Sequence, residues 1–111
     1  MSRLYYLEEH RRRIAPTFFD RRELNLLLSL YSRRVMNGEW RDYAIDQKDG
    51  MAMFSVFRHS HDRPLYSITK KPARGSREVE YAVFCGRERL ARAKSLSEAL
   101  AVFQERLKLV T

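Results

Sequence analysis

The spacing of the apolar residues changes abruptly at Asn37-Gly38, and this change constrains the fold more than any other feature of the chain. Before it, apolar residues recur at the i, i+3, i+4, i+7 and i+11 positions of an amphipathic helix: Leu24, Leu27, Leu28, Tyr31 and Val35. Asp20 and Glu23 stand three residues apart at the start of this pattern, which is the spacing of a capping box. Asn-Gly is a typical end signal. The sequence therefore predicts a capped helix that ends at Asn37-Gly38.

After this stop, apolar residues alternate with a period of two, which is the pattern of β-strands. The segment 43–48 is followed by Asp49-Gly50, a dipeptide typical of two-residue hairpins. Further alternating segments separated by turns predict strands at 51–58, 65–71, 80–85 and 88–93. Consecutive short-turned strands favour an antiparallel meander. The last strand would then lie at an edge, where it could pair with another chain; the sequence leaves the oligomeric state open.

A second helical pattern begins at Ser95, which precedes Glu98 with the spacing of a capping residue. Apolar residues follow at i, i+4 and i+7: Leu96, Leu100 and Phe103. Two helices that are apolar on one side need a sheet face to bury against. The sequence thus predicts an α+β fold with an N-terminal helix, an antiparallel meander of four to five strands and a C-terminal helix, with both helices on one sheet face.

Length and composition favour one domain. The chain has 111 residues, of which 44% are hydrophobic, enough for a core that needs no disulfides. We expect this domain over residues 18–111, preceded by a partly ordered arm, 1–17, in which Pro16 interrupts regular structure.

The single cysteine, Cys85, suits a reducing compartment. No apolar run reaches the roughly 20 residues of a membrane span, and the charged N-terminus differs from a signal peptide. A cytoplasmic protein is therefore expected.

Positive charge is concentrated in one part of the chain. The formal net charge is +8, and residues 58–94 contain ten lysines and arginines against four acidic residues. Such a field attracts polyanions, although a solvated basic face without a partner is the simpler alternative. We expect phosphate contacts from Arg58, Arg63, Lys70, Lys71, Arg74, Arg77, Arg87, Arg89 and Arg92. This predicts a non-catalytic nucleic-acid-binding or nucleic-acid-associated accessory protein that binds DNA or RNA independently of sequence.

The stretch GEWRDYAID, from Gly38 to Asp46, supports an alternative function. Trp40 lies between the helix stop and the first strand, where a large aromatic side chain can cover the end of the core. Tryptophan, tyrosine and arginine are also enriched at binding hot spots. Trp40, Arg41 and Tyr43 could therefore dock a protein, with the arm folding on that partner. The chain would then be a protein–protein interaction module or a small subunit of a larger assembly.

Other chemistries are not expected. Possible metal ligands cluster at His59, His61 and Asp62, but they share one short turn without a second ligand pair, so we expect no metal site. Cys85 lies within an apolar strand pattern, which is typical of a core residue rather than a nucleophile. Four glycines leave little for a phosphate-binding loop. We therefore expect neither catalysis nor a cofactor.

The chain resembles a family of small bacterial proteins, domain of unknown function 2794, in three stretches: FDRRELNLLLSLYSRRVMNGEWRDYAID, MAMFSVFR and RPLYSITKKP. The resemblance covers roughly residues 18–110, and GEWRDYAID with FSVFR is its most specific part. It implies a short, stand-alone cytoplasmic protein without an assigned activity. The His59/His61 pair and the Cys85 thiol do not belong to the family pattern, which further weakens the metal and nucleophile interpretations.

Overall fold

The described part of the chain folds into one sheet of five antiparallel strands with two helices. A computed structural model describes residues 16–59, 63–75 and 77–110. The elements follow in the order α1 (Arg21–Met36), β1 (Asp42–Lys48), β2 (Met51–Phe57), β3 (Tyr66–Pro72), β4 (Val79–Cys85), β5 (Glu88–Ala93) and α2 (Leu96–Val110). Each strand pairs with the next. The predicted α+β meander is therefore confirmed, whereas residues 1–15 of the expected arm lie outside the described residues.

Helix α1 begins at the predicted capping box. The Glu23 backbone N–H donates to Asp20 Oδ1, and the Asp20 N–H donates to Glu23 Oε1, both at 2.8 Å. These bonds satisfy two N–H groups that have no partner within a helix. The helix ends at Met36, and Gly38 follows with φ 74°, in the left-handed region that glycine adopts readily. Both predicted ends of the helix are confirmed.

Tight turns set the register of the sheet. Asp49 and Gly50 both have positive φ, 54° and 75°, as a two-residue hairpin with a type I′ turn requires. The turn places Lys48 opposite Met51, and the pairing continues regularly along all seven residues of β1. Between β4 and β5 the register shifts at Val83/Phe84, which is a β-bulge. One edge of the sheet is thus regular and the other is interrupted.

The hydrophobic core lies between the helices and one face of the sheet. Alternate residues of the three central strands are fully buried there: Phe54, Val56, Ile68 and Val83. Both helices add side chains to the same cluster: Leu27, Leu30, Leu96, Ala99 and Phe103. Because one cluster contains residues of both helices, both helices lie on one face of the sheet, as predicted.

Trp40 closes the end of this core where α1 passes into β1. It is only 2% exposed. Its ring lies edge-on to Phe103, with 5.6 Å between the ring centres, and 6.1 Å from the ring of Tyr66. The guanidinium of Arg34 lies 5.7 Å from the centre of the indole. Trp40 therefore joins the end of α1 to the sheet and to α2.

The buried side of α1 is rotated relative to the predicted one. It consists of Glu23, Leu27, Leu30 and Arg34, whereas Val35 is exposed. The prediction for Val35 is wrong because two charged side chains, one near each end of the helix, find partners inside the protein. A buried charge needs such partners, since its desolvation otherwise costs several kcal/mol, on the order of the stability of a domain.

Glu23 is the first of these buried charges. Lys70 Nζ donates to its Oε1 at 2.7 Å, and the hydroxyl of Tyr81 donates to its Oε2. Lys70 also donates to the carbonyl of Phe18 at 2.9 Å. The carboxylate therefore attaches the start of α1 to β3 and β4.

Arg34 is the second buried charge. Its Nη1 donates to Glu39 Oε1 at 2.7 Å, and its Nη2 donates to the backbone carbonyl of Phe103 at 2.8 Å. Its own carbonyl accepts from the Glu39 N–H at 2.8 Å. The guanidinium thus connects the end of α1, the turn that follows it and helix α2.

Replacing Glu23 with alanine should lower the free energy of unfolding by about 3 kcal/mol, because Lys70 and Tyr81 would lose their shared acceptor in a mostly buried place. Urea unfolding followed by circular dichroism measures this change. Arg22→Ala, an exposed change in the same helical turn, is the control and should cost less than about 0.5 kcal/mol. Equal losses in the two variants would contradict the anchoring role of Glu23.

The free energy of unfolding should also depend on pH in the alkaline range, because the pKa of Tyr81 differs between the folded and the unfolded protein. Burial and the hydrogen bond to Glu23 raise the pKa of the Tyr81 phenol well above its ordinary value. Above about pH 10, the unfolded chain releases this proton while the folded protein keeps it, so this contribution to stability is complete below about pH 10 and decreases above it. The difference in unfolding free energy between the unmodified protein and Tyr81→Phe should therefore narrow as pH rises through about 10. Urea unfolding of both proteins at several pH values around 10 measures this narrowing. A difference in unfolding free energy that stays constant across these pH values would contradict the role of Tyr81.

Candidate nucleic-acid interface

Three strands bring oppositely charged side chains together on the sheet face that the helices leave open. Lys71 on β3 lies directly opposite Glu80 on β4. The Glu80 carboxylate lies 3.4 Å from Lys71 Nζ through one oxygen and 3.4 Å from Arg92 Nε through the other. The side chains of Lys71 and Arg92 remain 51% and 59% exposed. One acid thus holds two solvent-accessible cations, and the trio keeps a net positive charge.

A cleft of about 620 Å³ opens beside this trio, at the end of the sheet where β3 leaves and β4 begins. Its cationic lining residues are Lys71, Arg74, Arg92 and Lys94, and its acidic ones are Glu78 and Glu80. The turn between the strands is closed by a hydrogen bond from the Ala73 N–H to the Glu78 carbonyl at 2.8 Å. The turn thereby places Arg74 close to residues of β5 that lie far away in sequence.

A second, smaller groove of about 250 Å³ continues from the cleft across the open sheet face. It shares Lys71, Glu80 and Arg92 with the cleft and adds Arg89. Its floor includes apolar side chains of the central strands: Met53, Ala82 and Phe84. Cations beside a flat apolar floor can hold phosphates while a base lies on an aromatic ring. We call the cationic residues of these two grooves, Lys71, Arg74, Arg89, Arg92 and Lys94, the basic groove.

The structure gathers only part of the predicted phosphate-contact set into the basic groove. Lys71, Arg74, Arg89 and Arg92 lie there. Lys70 points to the helix-covered face and is paired with Glu23, because successive residues of a strand face opposite sides. The remaining predicted residues are exposed outside the two grooves: Arg58, Arg63, Arg77 and Arg87. Lys94 also lines the cleft, although the predicted set of phosphate contacts omitted it. Its position directly after β5 could have indicated this from the sequence.

Of the three residues predicted for protein docking, the structure buries one and exposes two. Trp40 belongs to the core, so its side chain does not face solvent. Arg41 is exposed, and its backbone carbonyl accepts a hydrogen bond from the Tyr31 hydroxyl at 2.6 Å. The exposed ring of Tyr43 stacks on Phe54, with 5.3 Å between the ring centres. Arg41 and Tyr43 therefore remain accessible, whereas Trp40 acts as the joint between helix and sheet.

Residues considered for other chemistries form no cluster in the described part of the chain. No group of three or more histidine, cysteine or acidic residues there could hold a metal ion. His59 is exposed, while His61 and Asp62 lie outside the described residues. Cys85 is a half-buried free thiol. None of the described helices is long and apolar enough to cross a membrane.

Comparison with known proteins identifies the family to which the chain belongs. Residues 17–100 match the family model described as Protein of unknown function (DUF2794). This span contains the five strands, helix α1 and every residue of the basic groove. No curated protein and no solved structure matches the chain. Because the match covers more than half of the 111 residues, the resemblance seen in the sequence is confirmed, and the chain belongs to the DUF2794 family of proteins of unknown function.

Proposed function

We propose that the protein is a non-catalytic nucleic-acid-binding or nucleic-acid-associated accessory protein that contacts phosphates through the basic groove. The observation that carries this proposal is the cleft lined by four cationic side chains, from β3, β5 and the segments that follow them, and by only two carboxylates. A cytoplasmic location belongs to the same proposal and is supported by the single, free cysteine.

Lys71 and Arg92 each contact Glu80 but keep most of their hydrogen-bond donors free of that contact. The contacts of Glu80 with Lys71 and Arg92 are 3.4 Å long, whereas strong charge-assisted hydrogen bonds measure about 2.8 Å. An arginine has five N–H donors and a lysine three, so most donors remain available to phosphate oxygens. Glu80 thus keeps the two side chains near each other, and their outer sides stay open to an anion.

The shape of the groove favours a polymer over a small phosphate compound. The cations extend from Arg74 in the turn after β3 to Arg89 near the start of β5, over two connected depressions rather than one closed pocket. The half-buried ring of Phe84 lies directly opposite Arg89 on the open face and lines the second groove. Phosphates and the faces of bases are common to every sequence, so binding through such contacts does not depend on sequence.

Docking of a protein through the Trp40 region has less support. The indole, which would be the strongest anchor of such a surface, is occupied by contacts with Phe103 and Tyr66. A pull-down after nuclease treatment separates the two functions: partners lost after treatment favour nucleic acid, and partners that survive favour protein docking.

Arg92→Ala and Arg74→Ala should each weaken binding to all oligonucleotides alike and reduce the slope of log affinity against log salt concentration by about one, since each removes one phosphate contact. Fluorescence anisotropy with labelled single-stranded DNA, duplex DNA and duplex RNA at several salt concentrations measures both quantities.

The matched control is Arg33→Ala, because Arg33 is equally exposed but lies on α1, on the other side of the sheet. It should leave affinity and salt slope nearly unchanged. Absence of binding by the unmodified protein at low salt, or equal effects of the Arg33 and Arg92 variants, would contradict the proposed groove.

A further inference from the structure

Strand β1 forms an edge of the sheet: among the described strands it pairs with β2 and with no other. Six of its seven residues are exposed, and the seventh, Ala44, is half-buried. An edge strand presents a row of N–H and C=O groups that face away from the sheet, and proteins commonly protect such edges with prolines, bulges, short strands or charged side chains. Within Asp42–Lys48 there is no proline and no shift in register. Its charged residues, Asp42, Asp46 and Lys48, are of both signs. Within the described part of the chain this edge is therefore long, regular and open to a strand of complementary charge.

The opposite edge is protected. The register of β5 shifts against β4 at a bulge, and β5 carries two exposed arginines, Arg89 and Arg92. Like charges and a bulge both oppose pairing with an identical strand. Residues 88–93 do form an edge strand, as the sequence indicated, but β1 is the edge without a bulge and with charges of both signs.

The open edge also carries exposed apolar side chains on the side of the helices. Ile45 is 48% exposed, Tyr43 is 42% exposed and Phe18, which precedes α1, is 65% exposed. Phe18, Leu24 and Ile45 line a mostly apolar depression of about 230 Å³. Exposed apolar residues that form a group mark interaction surfaces.

We propose that β1 pairs antiparallel with β1 of a second copy of the chain, about a twofold axis at Ile45, so that the two five-stranded sheets become one continuous sheet. A twofold axis perpendicular to the sheet keeps the helices of both copies on the same side. Ile45 then lies opposite Ile45 of the second copy, and Tyr43 lies opposite Gln47. The exposed apolar group of each copy is buried against that of the other.

The charges of β1 select this register. With the axis at Ile45, Asp42 lies opposite Lys48 of the second copy, and the pair occurs twice. Moving the axis to Ala44 places Asp42 opposite Asp46, and moving it to Asp46 places that residue opposite itself. Like charges directly opposite each other destabilise a strand pair, and opposite charges stabilise it. The sequence DYAIDQK is therefore complementary to itself in one register, which favours a second copy over an unrelated strand.

The proposal does not depend on the proposed nucleic-acid function. The two grooves are lined by residues of β2 to β5 and of the segments that follow β3, β4 and β5, so pairing through β1 leaves them exposed in both copies. The dimer would carry one groove toward each end of the joined sheet.

Sedimentation velocity on the full chain tests the proposal. The unmodified protein should dimerise, and Ile45→Lys, which places two lysines opposite each other, should raise the dimer Kd about tenfold or more. Lys48→Asp should act likewise, since it places a second carboxylate opposite Asp42. The exchange Asp42→Lys with Lys48→Asp should restore dimerisation. Arg87→Glu, at the turn beside β5, is the control and should change nothing.

Disulfide trapping tests the register directly. In a Cys85→Ser background, Ile45→Cys should form a covalent dimer on oxidation, because opposite Cβ atoms lie about 5 Å apart. Ala44→Cys, one residue away, should not, because its counterpart in the second copy would be about 7–8 Å distant. Circular dichroism confirms that each variant folds. A protein that stays monomeric up to its solubility limit, a dimer unaffected by Ile45→Lys, or faster trapping through residue 44 would overturn the proposal.

Discussion

The buried carboxylate of Glu23 is the contact on which the arrangement of helix and sheet depends. The same side chain accepts from the Asp20 N–H, from Lys70 Nζ and from the Tyr81 hydroxyl, and so it caps α1 and binds it to two strands. A carboxylate placed elsewhere on this side of the helix would lack these donors and would pay for desolvation without compensation. Helix α1 is therefore held in one rotation about its axis. That rotation brings Leu27 and Leu30 into the core and turns Val35 out to solvent.

The same interaction separates the functions of two adjacent lysines. Lys70 faces the helices and neutralises Glu23, whereas Lys71 faces the open side and contacts Glu80. Because neighbouring strand residues point to opposite faces, a pair of lysines in sequence becomes one structural cation and one available cation. Positive charge counted along the sequence therefore overstates the charge that a polyanion meets. The basic groove gathers its cations from two strands and their connections instead.

The features predicted correctly from the sequence depend on chemistry between near neighbours. The capping box spans three residues, and the Asp49-Gly50 turn needs only its own backbone conformation. The rotation of α1 was not predictable in this way, since the partners of Glu23 and Arg34 lie 47 and 69 residues away. The inward direction of the Lys70 side chain, by contrast, was predictable from the sequence. Ile68 was predicted to point to the core, and residues two apart on a strand face the same side. The bulge beside β5 arises from strand pairing and has no clear signal in the segment 88–93.

The two edges of the sheet differ in charge, and this difference relates the two proposed surfaces. On the open face, β1 carries Asp42, Asp46 and Lys48, a net charge of −1, whereas β5 carries Arg89 and Arg92, a net charge of +2. In the two proposals, phosphates would be attracted to the second edge rather than the first, and an identical strand would pair with the first edge rather than the second. Self-association and polyanion binding therefore do not compete for one surface. In a dimer joined through β1, the two basic grooves would act as linked sites, and a nucleic acid long enough to reach both would bind more tightly than to either alone, without any new contact.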